Sequence, residues 1–324
     1  MTVSIIIAVK IWQKNLEECV DNCAQLDYPG SDVEVLILPD APIDRDCPRT
    51  GAIPVRIIPT GPVSPAQKRD IAMDQAKGEI LAFIDDDAYP AKDWLKNAMD
   101  NFKDDNVAAV GGPAVTPAAD TLWQRASGLV YSSFFVSAGF VYRYVPKKGR
   151  RVDDYPSCNF LVRKSIMQEL GGFDTHFWPG EDTKLCLEIT KKLRKRIIYD
   201  PAVMVYHHRR PLFTGHLGQV ASYALHRGYF ARRYPQTSRK ISYFIPSLFL
   251  LALLSGAFLS LFPGPFRMLY ISGALLYLIL VAIFSASGEP GLMPLVFSGI
   301  ILTHLTYGLF FLKGLFIKRL KEEK

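Results

Sequence analysis

Three consecutive aspartates, Asp85, Asp86 and Asp87, close the stretch LAFIDDD, whose first four residues are all apolar. Carboxylates this close repel one another until protons or a divalent cation relieve them. In an extended chain Asp85 and Asp87 point to one side and Asp86 to the other, so the first and third can converge on one object while the middle one serves backbone or solvent. Mg2+ or Mn2+ takes oxygen ligands, needs one or two carboxylates, and fills its shell with substrate phosphates. The triplet therefore suits a metal-diphosphate, with Asp87 and Asp85 as candidate ligands. The plainer alternative is a cap on the helix expected over AKDWLKNAMDNF, or a solvated turn, since Asp favours both.

Other groups can serve the same chemistry. In VYHHRRP, His207 and His208 face opposite ways on a strand, so one of them can turn toward the ion, and His207 is the expected one. Lys68 and Arg69 open a helix just before the aspartates, and Arg209 and Arg210 follow the histidines; all four are placed to meet phosphate charge. Glu181 and Asp182 begin the helix GEDTKLCLEI, where the helix dipole by itself lowers their basicity. A partly desolvated pocket restores it, and Phe177 and Trp178 can wall that pocket and stack on a sugar ring.

These residues need a rigid frame, and the first 200 residues alternate β-type runs with helical patterns. Val3 to Val9, Val33 to Leu38, Val55 to Pro59 and Glu79 to Ile84 read as strands, the first and last buried on both faces because they do not alternate. SPAQKRDIAMDQAKG reads as a helix with Ser64 at the N-cap, Pro65 at N1, Gln67 closing a capping box and Gly78 at the C-cap. The fold class implied is α/β with a Rossmann-like, mostly parallel sheet, which binds ligands beyond the carboxyl ends of its strands.

In this order the blocks resemble the family-2 glycosyltransferases of GT-A fold, over about residues 2 to 215. SIIIAVK looks like the opening nucleotide-binding strand, VLILPDAP like the second strand, and PAQKRDIAMDQAKGEILAFIDDDAYP like the segment ending in a DxD-type metal site. SCNFLVRKSIMQELGGFD resembles the acceptor-side segment, WPGEDTKLCLEI the base motif, and VYHHRRP the closing strand. The resemblance implies Asp182 as general base with Glu181 positioning, Ala8, Val9, Asp40, Lys68, Arg69, Asp85, Asp86 and Arg210 on the nucleotide-sugar, Trp178 and Asn159 on the acceptor, and Asp87, Asp85 and His207 on Mg2+ or Mn2+. It also implies a nucleotide-sugar donor, UDP favoured. AVKIWQKN lacks the acid of the family's P-x-Y-N-E, and PDAP stands where D-D-G-S is usual, so the choice of nucleotide is the part these departures touch.

The last third reads differently. Ile241 to Phe266, Met268 to Gly288 and Leu292 to Leu312 carry no acid, lysine or arginine, and about 20 apolar residues cross a hydrocarbon core of roughly 30 Å. The expected organisation is a GT-A domain over 1–215, an amphipathic, basic membrane-proximal segment over 216–240, a transmembrane region over 241–317 and a basic tail over 318–324. A membrane tail in that position resembles the subgroup containing exopolysaccharide (succinoglycan-type) glycosyltransferases. Three crossings place the tail opposite the basic residues before Ile241, whereas Lys318, Arg319 and Lys321 favour the same side.

The net charge of +7 is accordingly assigned to anionic lipid and a phosphorylated substrate rather than nucleic acid. Five cysteines without a CxxC pair argue against a disulfide framework or zinc site, and MTVSIIIAVK is too short in its apolar core for a secretory signal, so the catalytic part is expected in the cytoplasm. The acceptor implied is lipid-linked or a glycolipid, and the enzyme a multi-pass protein of the cell membrane. Two rival readings remain at this level: a polyprenyl-phosphate glycosyltransferase, and a non-catalytic membrane scaffold of the same fold.

Overall fold

The computed structural model describes residues 1–43, 51, 53–175 and 177–323. Cys47, among the thiols expected to be free, lies outside them; Cys19, Cys23, Cys158 and Cys186 are free. The chain divides into two compact units, Met1–Val115 with Val145–His208, and Thr116–Tyr144 with Arg209–Glu322. Residues 116–144 thus group with the apolar helices and not with the first 115, which no local pattern announces.

In the first unit an eight-stranded sheet runs in the order β3-β2-β1-β4-β9-β6-β10-β8. β1 (Val3–Ala8), β2 (Val33–Leu38), β3 (Val55–Ile57) and β4 (Ile80–Asp85) are parallel neighbours. β9 (Asn159–Arg163) is antiparallel to both β4 and β6 (Val107–Gly111), β10 (Arg196–Tyr199) is parallel to β6, and β8 (Arg150–Val152) closes the edge antiparallel to β10. A second sheet joins β5 (Ala88–Pro90), β11 (Val205–His207) and β7 (Ala114–Val115). β1 and β4 do lie buried on both faces, all but the last residue of each, and β2 is buried throughout, Glu34 included.

The unit's helices are α1 (Lys14–Cys23), α2 (Pro65–Gln75), α3 (Trp94–Asn101), α6 (Lys164–Leu170) and α7 (Glu181–Leu187). α2 begins with the expected capping box, Ser64 Oγ accepting from the Gln67 N–H and Gln67 Oε1 accepting from the Ser64 N–H. Its end differs from expectation. The helix stops at Gln75 with Ala76 as C-cap, and Gly78 is required for another reason: a Cβ there would lie 2.3 Å from the Ser4 backbone nitrogen. Glycine lets the chain entering β4 touch β1.

The second unit holds α4 (Leu122–Ser132), α5 (Phe134–Ser137), α8 (Thr214–Arg233), α9 (Pro235–Ser238), α10 (Ile241–Leu259), α11 (Pro265–Ser285) and α12 (Met293–Phe316). The last three are long and apolar enough to cross a membrane. α8 forms where an amphipathic helix was expected, but its inner stripe is not left for lipid. His216, Val220, Ala224 and Gly228, four residues apart, are buried, and the Gly228 Cβ position lies 2.2 Å from the Phe311 carbonyl of α12. Ala224 and Gly228, the small residues of this stripe, are what two close-packed helix backbones need.

Candidate active site

The site is assembled where β4 ends. Asp85 is its last residue, Asp86 and Asp87 make the turn into β5, and β11 pairs antiparallel with β5 so that His207 stands opposite Ala88. Asp85, Asp87 and His207 each bring a ligand atom within 4.8 Å of the others, and His207 Nε2 is 3.0 Å from Asp87 Oδ1. His208 turns away, its Nε2 3.0 Å from Glu18 Oε2. Asp86 also points elsewhere and accepts a hydrogen bond from Gln13 Nε2, at the N-cap of α1. The separation of the first and third aspartates from the second arises at a turn rather than by strand pleating.

Crowding shows in the acids. Burial raises the Asp85 carboxyl, Arg69 opposes the rise and the Asp87 charge adds to it. Asp86 is pushed up to about 7, by burial first and then by the charges of Asp87 and Asp85, against the Gln13 hydrogen bond. Two carboxylates with an imidazole make a mainly oxygen donor set that fits Mn2+ or Mg2+, and a cation would relieve the repulsion that adds to the effect of burial.

Arg69 is buried at the centre. Its guanidinium donates to Glu181 Oε1 at 2.8 Å and to Asp85 Oδ1 at 2.9 Å, and lies 5.9 and 5.6 Å from the ring centroids of Phe83 and Phe173. One planar cation thereby fixes the end of β4 to the start of α7, a fork geometry that a lysine lacks. Asp182 is half-buried beside it, its Oδ1 accepting from the Thr183 N–H at 2.8 Å and its Oδ2 from the Ser157 N–H at 3.3 Å.

Lys68 is a different case. Expected to face phosphate, it is buried, with Nζ donating to the carbonyls of Val9 at 2.7 Å and Leu38 at 3.0 Å and to Asp40 Oδ1 at 2.5 Å. An ammonium has three donors and all are engaged, so Lys68 ties the ends of β1 and β2 together instead of meeting a ligand. Ala8 and Val9 lie at that end, Ala8 in register with Asp85 across the β1–β4 ladder.

Asn159 is corrected as well. It is fully buried at the start of β9, accepts from Trp94 Nε1 at 2.9 Å and donates to the carbonyls of Gly112 and Val203. That residue seals the interior where β9, α3 and two loops meet, and it is inaccessible to an acceptor. Phe177 is buried too, whereas Trp178 is 52% exposed and free to stack. The closing strand stops at His207. Arg209 and Arg210 follow it in the second unit, Arg210 exposed and Arg209 buried over the rings of Tyr131 and Tyr144. Gln13 and Glu18, which orient Asp86 and His208, carry no sequence signal, being ordinary polar residues around a helix start.

Comparison with known proteins bears on the family and the fold. The profile described as Glycosyl transferase family 2 matches residues 4–171, more than half of the chain. The Pre-mycofactocin glycosyltransferase of Mycobacterium tuberculosis is 27% identical over 173 residues, 53% of this chain but only 36% of that protein. A dolichyl N-acetyl-alpha-D-glucosaminyl phosphate 3-beta-D-2,3-diacetamido-2,3-dideoxy-beta-D-glucuronosyltransferase of Methanococcus voltae is 22% identical over 71% of this chain and 74% of its own. Among solved structures, a mannosyltransferase of Pyrobaculum calidifontis, in complex with GDP-Man and Mn2+, superposes with a TM-score of 0.65 at 20% identity, covering 98% of this chain and 88% of that one. The fold is thus GT-A, and the chain belongs to glycosyl transferase family 2.

Proposed function

We propose that the chain is an inverting, cation-dependent transferase that moves a sugar from a nucleoside-diphosphate donor, UDP favoured, to a hydroxyl of a lipid-linked acceptor in cell-surface polysaccharide or glycolipid synthesis. The observation that carries this reading is the Arg69 fork. With Asp85 and Glu181 both within 2.9 Å of one guanidinium, the candidate base Asp182 is one residue from a group that shares a cation with the candidate metal ligand Asp85.

Asp85, Asp87 and His207 are the residues to hold Mn2+ or Mg2+, which when bound supplies positive charge against a departing diphosphate. Asp182, fixed by two backbone N–H groups, accepts the proton of the acceptor hydroxyl as that oxygen attacks the anomeric carbon. The bond from this carbon to the phosphate oxygen breaks, and the nucleoside diphosphate leaves with the electron pair. One displacement inverts the centre. Base catalysis of this kind contributes about 10²–10⁴-fold. The exposed Trp178 indole offers a platform for the acceptor sugar, and Asp40 an acceptor for the base of the nucleotide. A lipid-linked acceptor is favoured by the apolar helices of this chain, and by the dolichyl-linked substrate in the name of the Methanococcus relative. Confining enzyme and acceptor to one bilayer raises their effective concentration.

The test uses purified full-length protein, a panel of nucleotide-sugars, and diphosphate release with and without EDTA, for the parent and Asp182→Asn. EDTA should abolish release, and Asp182→Asn should lower acceptor-dependent turnover about 10²–10⁴-fold. Near-normal turnover of the variant would remove Asp182 from the role of base and point to a phosphate acceptor, which is already ionised and needs none.

A further inference from the structure

Three helices have the length and composition of membrane spans, but they are not equivalent. α10 and α11 are bare: Leu251, Leu254, Phe258, Leu269, Leu275 and Ile279 are all exposed. Over the most apolar stretch of each, 11% of residues are buried, against 39% for α12. Water cannot cover such a hairpin, and α10 and α11, at about 1.5 Å per residue, match a hydrocarbon core of roughly 30 Å.

α12 is covered along its length by α4 and α8. Near its start Gly299 packs on Val130 and Leu212; at its middle Thr303 bonds His216, which also bonds Ser127 of α4. Further on, the Cβ position of Gly314 lies 2.1 Å from the Leu225 carbonyl of α8. Both ends are tied to the same layer. Glu289, just before α12, pairs with Arg125 of α4; just after it Arg232 of α8 donates to the Ile317 carbonyl, and His226 approaches Glu322 at 3.6 Å. Were α12 to span, α8 would lie parallel beside it and put the bonded group of His216, Ser127 and Thr303 near the bilayer centre, where ionisable residues are rare.

The order of contacts gives the direction. At His304, α12 meets Phe249 of α10 and Tyr277 of α11. Toward its carboxyl end it follows α10 back to that helix's start, through Ser247 on the Gly308 carbonyl and Phe244 on Phe311. Toward its amino end it follows α11 to that helix's finish, where Val281 shares a cluster with Val296 and Ile300. Both directions lead to the open base of the hairpin. A third span would have one end at the tip.

We infer that α10 and α11 alone cross the membrane, with residues 260–264 as the distal tip, while α12 lies in the plane of the proximal leaflet beneath α8 and α4. The carboxyl-terminal tail then stays on the side from which α10 enters. Lys318, Arg319 and Lys321 join Arg227, Arg232, Arg233, Arg239 and Lys240 there, leaving only Arg267 near the tip, so the basic residues fall on one side. In-plane burial of an apolar helix face at the head-group boundary is a known mode of membrane association.

Single substitutions in the full chain test this with a membrane-impermeant maleimide, applied to intact cells and to cells after lysis: Arg239→Cys, Phe262→Cys, Gly288→Cys and Lys318→Cys, each read against the parent. Phe262→Cys should label on one face only, and the other three only on the opposite face. Lys318→Cys sharing a face with Phe262→Cys would show a third crossing, and all four sharing one face would show a hairpin that enters and returns; either overturns the inference. Gel filtration in detergent checks that each variant is folded, and no step depends on sugar transfer.

Discussion

Lys68 and Arg69 are neighbours on α2, both buried cations with carboxylate partners, and they work in opposite ways. Lys68 spends two of its three donors on the carbonyls of Val9 and Leu38, so its charge is consumed by the frame. Arg69 spends its fork on Asp85 and Glu181, so its charge is shared by two acids of the candidate site. The difference follows from shape: an ammonium collects backbone oxygens around a point, whereas a planar guanidinium holds two carboxylates apart at fixed orientation. Adjacent basic residues before a metal-type motif are therefore not one phosphate-binding patch.

The sharpest way to break this contrast is to remove the acids that Arg69 serves. Asp85→Asn combined with Asp87→Asn should abolish Mn2+ binding by calorimetry and lower diphosphate release by at least about 10²–10³-fold, the loss typical of removing one electrostatic stabiliser at a reacting centre. Full activity in that double variant would leave the Arg69 side with no more chemistry than the Lys68 side.

The next comparison is between the two cations themselves. Removing one partner of a buried pair leaves an uncompensated charge, at about 3–5 kcal/mol. Both Arg69→Met and Lys68→Met should therefore lower the melting temperature in detergent. Only Arg69→Met should also depress kcat in the fraction that remains folded, and Arg69→Lys should not restore it, because an ammonium reaches one of the two carboxylates. If Lys68→Met depressed kcat as much as Arg69→Met, Lys68 would belong to the site after all.

Why the sequence distinguished some of these parts and not others is a matter of range. β1, β2 and β4 are legible because strands of a buried parallel sheet are mostly apolar, and the start of α2 because a capping box is complete within residues 64–67. The convergence of Asp85 and Asp87 with His207, 120 residues after Asp87, is long-range, and it is legible only through the resemblance to a known family. The fates of Lys68, Asn159 and Gly78 also depend on atoms 28 to 74 residues away, such as Asp40, Trp94 and Ser4. Periodicity likewise finds the inner stripe of α8 but not that α12 fills it, and nothing local assigns residues 116–144 to the helical unit.

The smallest expected effect is on pH. Without a cation, Asp86 keeps its proton up to about pH 7, whereas an unfolded aspartate loses it near 3.8. The folded state binds this proton more tightly, so metal-free protein should lose stability as pH rises from about 4 to about 7 and lose no more above that. A cation held by Asp85 and Asp87 offsets the charges that lift Asp86, so binding should release a proton below pH 7. Mn2+ affinity should then rise up to about tenfold per pH unit for each proton released, and level off above about pH 7. Calorimetry in buffers of different ionisation enthalpy counts the proton directly. Asp86→Asn, which leaves Asp85, Asp87 and His207 in place, should flatten the slope while retaining binding. An unchanged slope would mean that the middle aspartate, held by Gln13, does not sense the cation.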